Sequence, residues 1–143
     1  MGIIYNQETG EFHLYNREIS YIMQILRNGQ MGQLYFGKRI HDREDFSYLL
    51  ETVSRPMASC VFEDNKSFSL DHILQEYPSY GTGDYKSPAV EVLQKTGSRI
   101  TSFIYKGHKI TSGKPRLEGL PATYTEGEKE AATLTIYLGD EPT

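Results

Sequence analysis

Polar and apolar residues alternate with a period of two along much of this chain, the spacing of a strand that buries one face. Residues 3–6 and 11–15 flank Gln7-Glu8-Thr9-Gly10, and in the second run Phe12 and Leu14 alternate with Glu11 and His13. This predicts an N-terminal β-hairpin. Residues 19–26 and 31–39 flank Arg27-Asn28-Gly29-Gln30, which places Asn-Gly where a type I′ turn takes two positive φ angles. A second hairpin follows, its flanks rich in Ile, Tyr, Leu and Phe, residues that fit a pleated, half-buried surface. Further along, 89–93 alternates around Glu91, 99–110 carries Ile100 and Ile104 on one face and Phe103 and Tyr105 on the other, and 132–138 reads Ala-Thr-Leu-Thr-Ile-Tyr-Leu. Three more strands are predicted, with Gly113-Lys114-Pro115 and Gly119-Leu120-Pro121 punctuating the stretch before the last.

Between 38 and 66 neither periodicity holds. A loop longer than ~12–15 residues inside a compact domain is usually functional or disordered, and Phe46, Tyr48, Leu49 and Leu50 are too apolar for disorder, so this loop should dock onto something. Residues 69–76 predict a short helical turn with Asp71 near its start as a cap. Sustained helical periodicity is absent. The pattern predicts an all-β chain, an antiparallel β-sandwich with at most one or two short helical turns, forming a single domain over 1–143. The strand at 134–138 has no following partner in sequence, and an open edge predicts association with another chain.

Composition narrows the function classes. With 38% hydrophobic and 24% charged residues the chain is ordinary for a globular domain, and a net charge of −4 offers no basic face for nucleic acid or an anionic membrane. No apolar run approaches the ~20 residues of a membrane helix. Cys60 is the single cysteine, which excludes an internal disulfide, and the opening MGIIYNQETG lacks the basic start and apolar stretch of a secretion signal, so a cytoplasmic setting is expected. Asn65-Lys66-Ser67 fits a glycosylation sequon that matters only in a secreted protein. His13, His41, His72 and His108 show no zinc-motif spacing, so neither a metal nor a cofactor is expected. Cys60 reads as a small buried hydrophobe rather than a nucleophile, and Asp42, Glu44 and Asp45, interleaved with His41 and Arg43, read as a solvated, self-neutralised loop.

The stretch QEYPSYGTGDY, residues 75–85, concentrates three tyrosines around two glycines and a proline. Its residues leave two readings open: a platform on which tyrosine faces meet a sugar, or a corner joining two β-structures. The Gly-Thr-Gly pair lacks the third glycine and the following helix of a dinucleotide fingerprint.

At QEYPSYGTGDYKSPA, and again at GSRITSFIYKGHKITSGKPRLEGLPATY, the sequence resembles the N-terminal part of the bacterial α-galactosidases (melibiases) of glycoside hydrolase family 36. YNQETGEFHLYNREISYIMQILRNGQMGQLYFGKRI and FSLDHILQEYP carry the same resemblance, which covers essentially the whole chain. It implies the first part of a longer N-terminal β-sandwich, supersandwich-like and incomplete here, standing before a catalytic (β/α)₈ barrel whose two aspartates hydrolyse α-galactosides with retention. No catalytic residue would then lie in these residues, and the chain alone would be inactive. The resemblance also implies a homo-oligomer in which the loop over 46–66 reaches a neighbouring subunit's substrate pocket. The acidic and basic residues it would carry there are Glu51 and Lys66, the latter standing where an arginine is expected, with Arg55 and Asp64 as neighbouring alternatives. Tyr77, Tyr80, Asp84 and Tyr85 are expected to shape the corner where sandwich meets barrel. The contrasting expectation is a freestanding carbohydrate-binding β-sandwich.

Overall fold

The computed structural model describes residues 2–54, 57, 62–81, 85–121 and 130–140. The alternating runs form β1 (Gly2–Asn6), β2 (Glu11–Tyr15), β3 (Ile19–Ile25) and β4 (Met31–Lys38), an antiparallel meander in the order β1-β2-β3-β4. Two longer strands, β5 (Phe103–Ser112) and β6 (Ala132–Asp140), pair as a second antiparallel sheet. A 3₁₀ turn, η1, lies at Ser47–Leu49. The predicted antiparallel all-β architecture is therefore the one observed.

Register explains the layering. Phe12 lies opposite Tyr5 on one side and Met23 on the other, so these three share a face, while His13 lies opposite Ile4 and Ile22 on the reverse face. Phe12, Met23 and Met31 form a core against which Tyr105 of β5 and Leu134, Ile136 and Leu138 of β6 pack. The two sheets thus meet face to face as a sandwich. Tyr5 stacks on Phe12 at 4.5 Å, and the His108 ring meets Phe12 edge-on at 4.9 Å, so aromatic contacts bridge the layers. Phe12 has no exposed surface, and burying such a side chain contributes roughly 1.5–3 kcal/mol. A register shift between Ile22 and Met23 leaves Leu34 without an opposite residue, a β-bulge in β4.

The second hairpin forms where predicted, but with a different turn. Gly29 takes φ +82° while Asn28 keeps a negative φ, so this is a three-residue loop with one left-handed glycine, closed by Gly29 N–H to the Leu26 carbonyl at 2.8 Å. Asn28 turns its side chain to Gln30 instead, accepting the Gln30 N–H at 3.2 Å. The two positive φ angles of a type I′ turn occur elsewhere, at Glu63 (49°) and Asp64 (57°), between Phe62 and Asn65.

Three further expectations change. Residues 89–93 form no strand: the Ala89 N–H goes to the Pro78 carbonyl at 3.0 Å, and no strand pairs with them among the described residues. The strand expected over 99–110 begins only at Phe103, because Thr101 N–H is taken by the Tyr80 carbonyl at 3.0 Å. Residues 69–76 make turns and no helix, and 74–76 add to the edge of β4, with Gln33 N–H to the Leu74 carbonyl and Glu76 N–H to the Met31 carbonyl, both at 2.9 Å. Leu26, Phe68, Leu70 and Ile73 make a second, smaller core there, joined by Leu50 and Phe62. Among the described residues β6 pairs only with β5.

Candidate functional site

The long segment after β4 docks, as its apolar residues predicted, and it does so on the outer face of β2 and β3. That face presents Glu11 and His13 from β2, and Ser20, Ile22 and Gln24 from β3. Residues 42–47 run along it, held at Asp42, Glu44, Phe46 and Ser47. The Asn6 amide donates to the Glu44 carbonyl at 2.7 Å. The Glu11 carboxylate accepts the Phe46 N–H through both oxygens, at 3.0 and 3.1 Å, and the Ser47 hydroxyl at 3.3 Å. Phe46 is 1% exposed and meets the His13 ring edge-on at 5.5 Å. Burial pushes the Glu11 carboxyl above its ordinary value, and the Phe46 N–H and Ser47 hydrogen bonds oppose that shift without cancelling it.

His13 is 2% exposed and uses both ring nitrogens: Nδ1 lies 2.7 Å from Asp42 Oδ1, and Nε2 lies 2.9 Å from Ser20 Oγ. An ionised carboxylate only accepts, so Nδ1 carries a proton, and Ser20 donates to Nε2 when the ring is neutral. Ser20, His13 and Asp42 therefore stand in the order of a nucleophile, a base and an orienting carboxylate. Yet Ser20 has no exposed surface, and its oxygen already accepts the Ile40 N–H at 3.0 Å, so no substrate carbonyl reaches it. The row is a fastening between the chain after β4 and the sheet. Asp42, expected in a solvated loop, is one of its anchors, while Asp45 accepts the Ser47 N–H at 2.6 Å and is lowered by that bond.

Beyond η1 the segment leaves the sheet. Leu50 packs on the second core, and at the far end Phe62 meets Phe68 edge-on at 5.4 Å. Between these footings 51–54 are exposed and Met57 is 94% exposed. Glu51 is the first of these exposed residues, its carbonyl accepting the His72 Nε2–H at 3.1 Å. Asp64 and Lys66 are exposed at the other footing, and among the described residues no ion pair joins Glu51, Asp64 and Lys66. Arg55 lies outside the described residues.

The tyrosine stretch divides. Tyr80 and Tyr85 meet edge to face at 5.9 Å, whereas Tyr77 packs edge-on against Phe103 at 5.5 Å, and Asp84 lies outside the described residues. Buried Ser79 fixes the corner: its Oγ accepts the Phe103 N–H at 2.9 Å and the Gln30 amide at 3.4 Å. Gly81 takes φ +91°, and a Cβ there would stand 2.9 Å from Ile100, so only glycine suits the bend. Tyr80, Tyr85, Pro88, Glu91 and Arg99 line an open cleft of about 310 Å³, with Arg99 and Glu91 3.9 Å apart.

Residues 29–143 match the glycosyl hydrolase family 36 N-terminal domain. The chain belongs to this family. The α-galactosidase AgaA of Geobacillus stearothermophilus is 44% identical over 140 residues, covering 98% of this chain and 19% of that protein. Among solved structures, the α-galactosidase of Lactobacillus brevis superposes with a TM-score of 0.88 at 38% identity, over 96% of this chain and 19% of that one. A Geobacillus stearothermophilus AgaA variant in complex with raffinose gives a TM-score of 0.79 at 44% identity, over 91% of this chain and 18% of that one. This family 36 domain thus spans about a fifth of the length of the relatives it matches.

Glu11, His13 and Ser20 escaped the sequence reading as site residues, because polar positions on a strand read as a solvent-facing side. The signal that pointed to them was indirect: Phe46, Leu49 and Leu50 needed a surface to cover.

Proposed function

We propose that this chain is the non-catalytic front section of an α-galactosidase that hydrolyses terminal α-galactosyl residues of melibiose- and raffinose-type oligosaccharides with retention, in a cytoplasmic setting. The observation that carries this reading is the alignment of nearly the whole chain with a protein named as an α-galactosidase, a variant of which has been crystallised with raffinose. The hydrolytic carboxylates would be supplied by a barrel elsewhere in the polypeptide. The role of this section is scaffolding, assembly of a homo-oligomer and shaping a neighbouring subunit's pocket. The geometry supports that role through the exposed residues 51–54 and Met57, with Glu51 beside the packed Leu50 and Asp64 and Lys66 exposed beside the packed Phe62. Tyr77, Tyr80 and Tyr85 sit on a corner tied by Ser79 to β5, suited to carry a contact with the following domain.

Hydrolysis of a chromogenic α-galactoside by the full-length polypeptide, assayed beside this chain alone, tests the reading. Activity in the long form only is expected. Activity in the short chain would overturn the assignment of a non-catalytic role.

The cleft between Tyr80, Tyr85, Glu91 and Arg99 favours a second reading, a carbohydrate-binding sandwich, since exposed aromatic faces beside planar charged groups suit a sugar. Titration with galactose, melibiose and raffinose separates the two: saturable binding at millimolar concentration or below by this chain favours the second.

A further inference from the structure

We infer that Glu11 and His13 are positioning residues: together they hold residues 42–47 on the outer face of β2 and thereby fix where the exposed residues 51–54 stand. This deepens the proposed function and rests on its reading of those residues as a wall of a neighbouring subunit's pocket.

Three observations converge on it. First, both residues spend buried polar groups on the segment and on its approach. Glu11 is 3% exposed and gives both carboxylate oxygens to one backbone N–H, while His13 is 2% exposed and gives Nδ1 to Asp42. Polar groups are costly to bury, so a strand face that needed only a cover would carry apolar residues. Second, the contacts fix direction as well as distance. Asp42, the Glu44 carbonyl and the Phe46 N–H fall at alternate positions, so the segment lies extended along β2, and a slip by one residue would break all three. Third, the fastening ends where the exposed residues begin. Gln24 Nε2 donates to the Ser47 hydroxyl at 3.0 Å, the Leu50 N–H returns to the Ser47 carbonyl at 3.0 Å, and after Leu50 residues 51–54 are exposed. A lever follows, because a shift or a tilt at 42–47 carries into the stretch that leaves η1.

The experiment uses the full-length polypeptide carrying Asp42→Ala, Glu11→Ala or, as a separate arm, a paired Val53→Gly and Met57→Gly change among the exposed residues themselves. Asp42 is the exposed member of its pair, with 40% of its side chain open, so its loss should leave the sandwich folded. Two quantities are read: hydrogen exchange over 42–54, and KM and kcat for raffinose beside an aryl α-galactoside. In Asp42→Ala and Glu11→Ala, exchange over 42–54 is expected to rise about tenfold with β5 and β6 unchanged. KM for raffinose is expected to rise about fivefold, with kcat changing by less than about twofold. A raffinose KM that moves in the paired glycine variant but not in the clamp variants overturns the positioning role and leaves the proposed function standing. A KM that moves in none of them overturns the pocket-wall reading, and the positioning role with it. Unchanged exchange over 42–54 overturns the clamp directly.

Discussion

Phe12 is fully buried on the inner face of β2, and its two neighbours, Glu11 and His13, are 3% and 2% exposed on the outer face. Both faces of the strand are closed to water, yet the forces that close them differ. Inside, Phe12 is held by the shapes of Tyr5, Met23 and Tyr105 together with the apolar side chains of β6. Such packing is strong but tolerates a change of partner of similar volume. Outside, Glu11 and His13 are held by hydrogen bonds with set partners, and those bonds carry little net stability for their number. The inner face therefore decides whether the chain folds, and the outer face decides where one loop goes.

The largest break in this comparison is Phe12→Ala. Removing a fully buried ring shared by both sheets should cost about 3–5 kcal/mol, read as a fall in the urea midpoint. A loss below about 1 kcal/mol would mean that the sheets do not depend on each other through this side chain. Glu11→Ala should cost less, about 1–3 kcal/mol, because the Phe46 N–H is left without its acceptor while the apolar core stays intact. If the two substitutions cost the same, the division of labour between the faces is wrong.

The hairpins were legible because alternation and turn residues agree within a few positions of each other. What alternation fixes is which residues share a face. It is silent on what lies above that face, and so Glu11 and His13 read as solvent-facing although 42–47 cover them. It is equally silent on partners in the plane: 89–93 alternates as a strand would, but its backbone is taken up by Pro78 and, in the turn that follows, by Gln94 with Ser98. Asn28-Gly29 named the right place for a turn and the wrong type, since the glycine alone supplies the left-handed backbone and its carbonyl is drawn to the Tyr105 N–H at 2.7 Å. The tyrosine corner was half legible. Its bend is written in Pro78 and Gly81, but the parting of Tyr77 from Tyr80 and Tyr85 depends on Phe103, more than twenty residues away in sequence.

A gentler probe of the outer face is pH. The Glu11 carboxyl is raised above its ordinary value of 4.5 by burial, so the folded state holds this proton more tightly than the unfolded chain does. Its contribution to stability is fully present below about 4.5 and is lost as pH rises through the folded value. Against Glu11→Gln, which cannot ionise, the native chain should hold its relative stability in acid and fall behind progressively above that point. Urea midpoints for both proteins across the acid range measure this, and parallel profiles would mean that the carboxylate is not desolvated.

The smallest expected effect isolates the fastening at His13. Asp42→Asn keeps the size of the side chain and removes its charge, so a loss of about 1 kcal/mol or less is expected. Ser20→Ala strips the acceptor from the Ile40 N–H and the donor from His13 Nε2, and should cost somewhat more because Ser20 is wholly buried. The informative quantity is their coupling. If Ser20, His13 and Asp42 act as one row, the double variant should lose less than the two single losses added, because either change alone already frees the ring. Simple additivity would show that Asp42 and Ser20 hold the chain after β4 independently, and that the outer face is a set of separate contacts with no shared hinge.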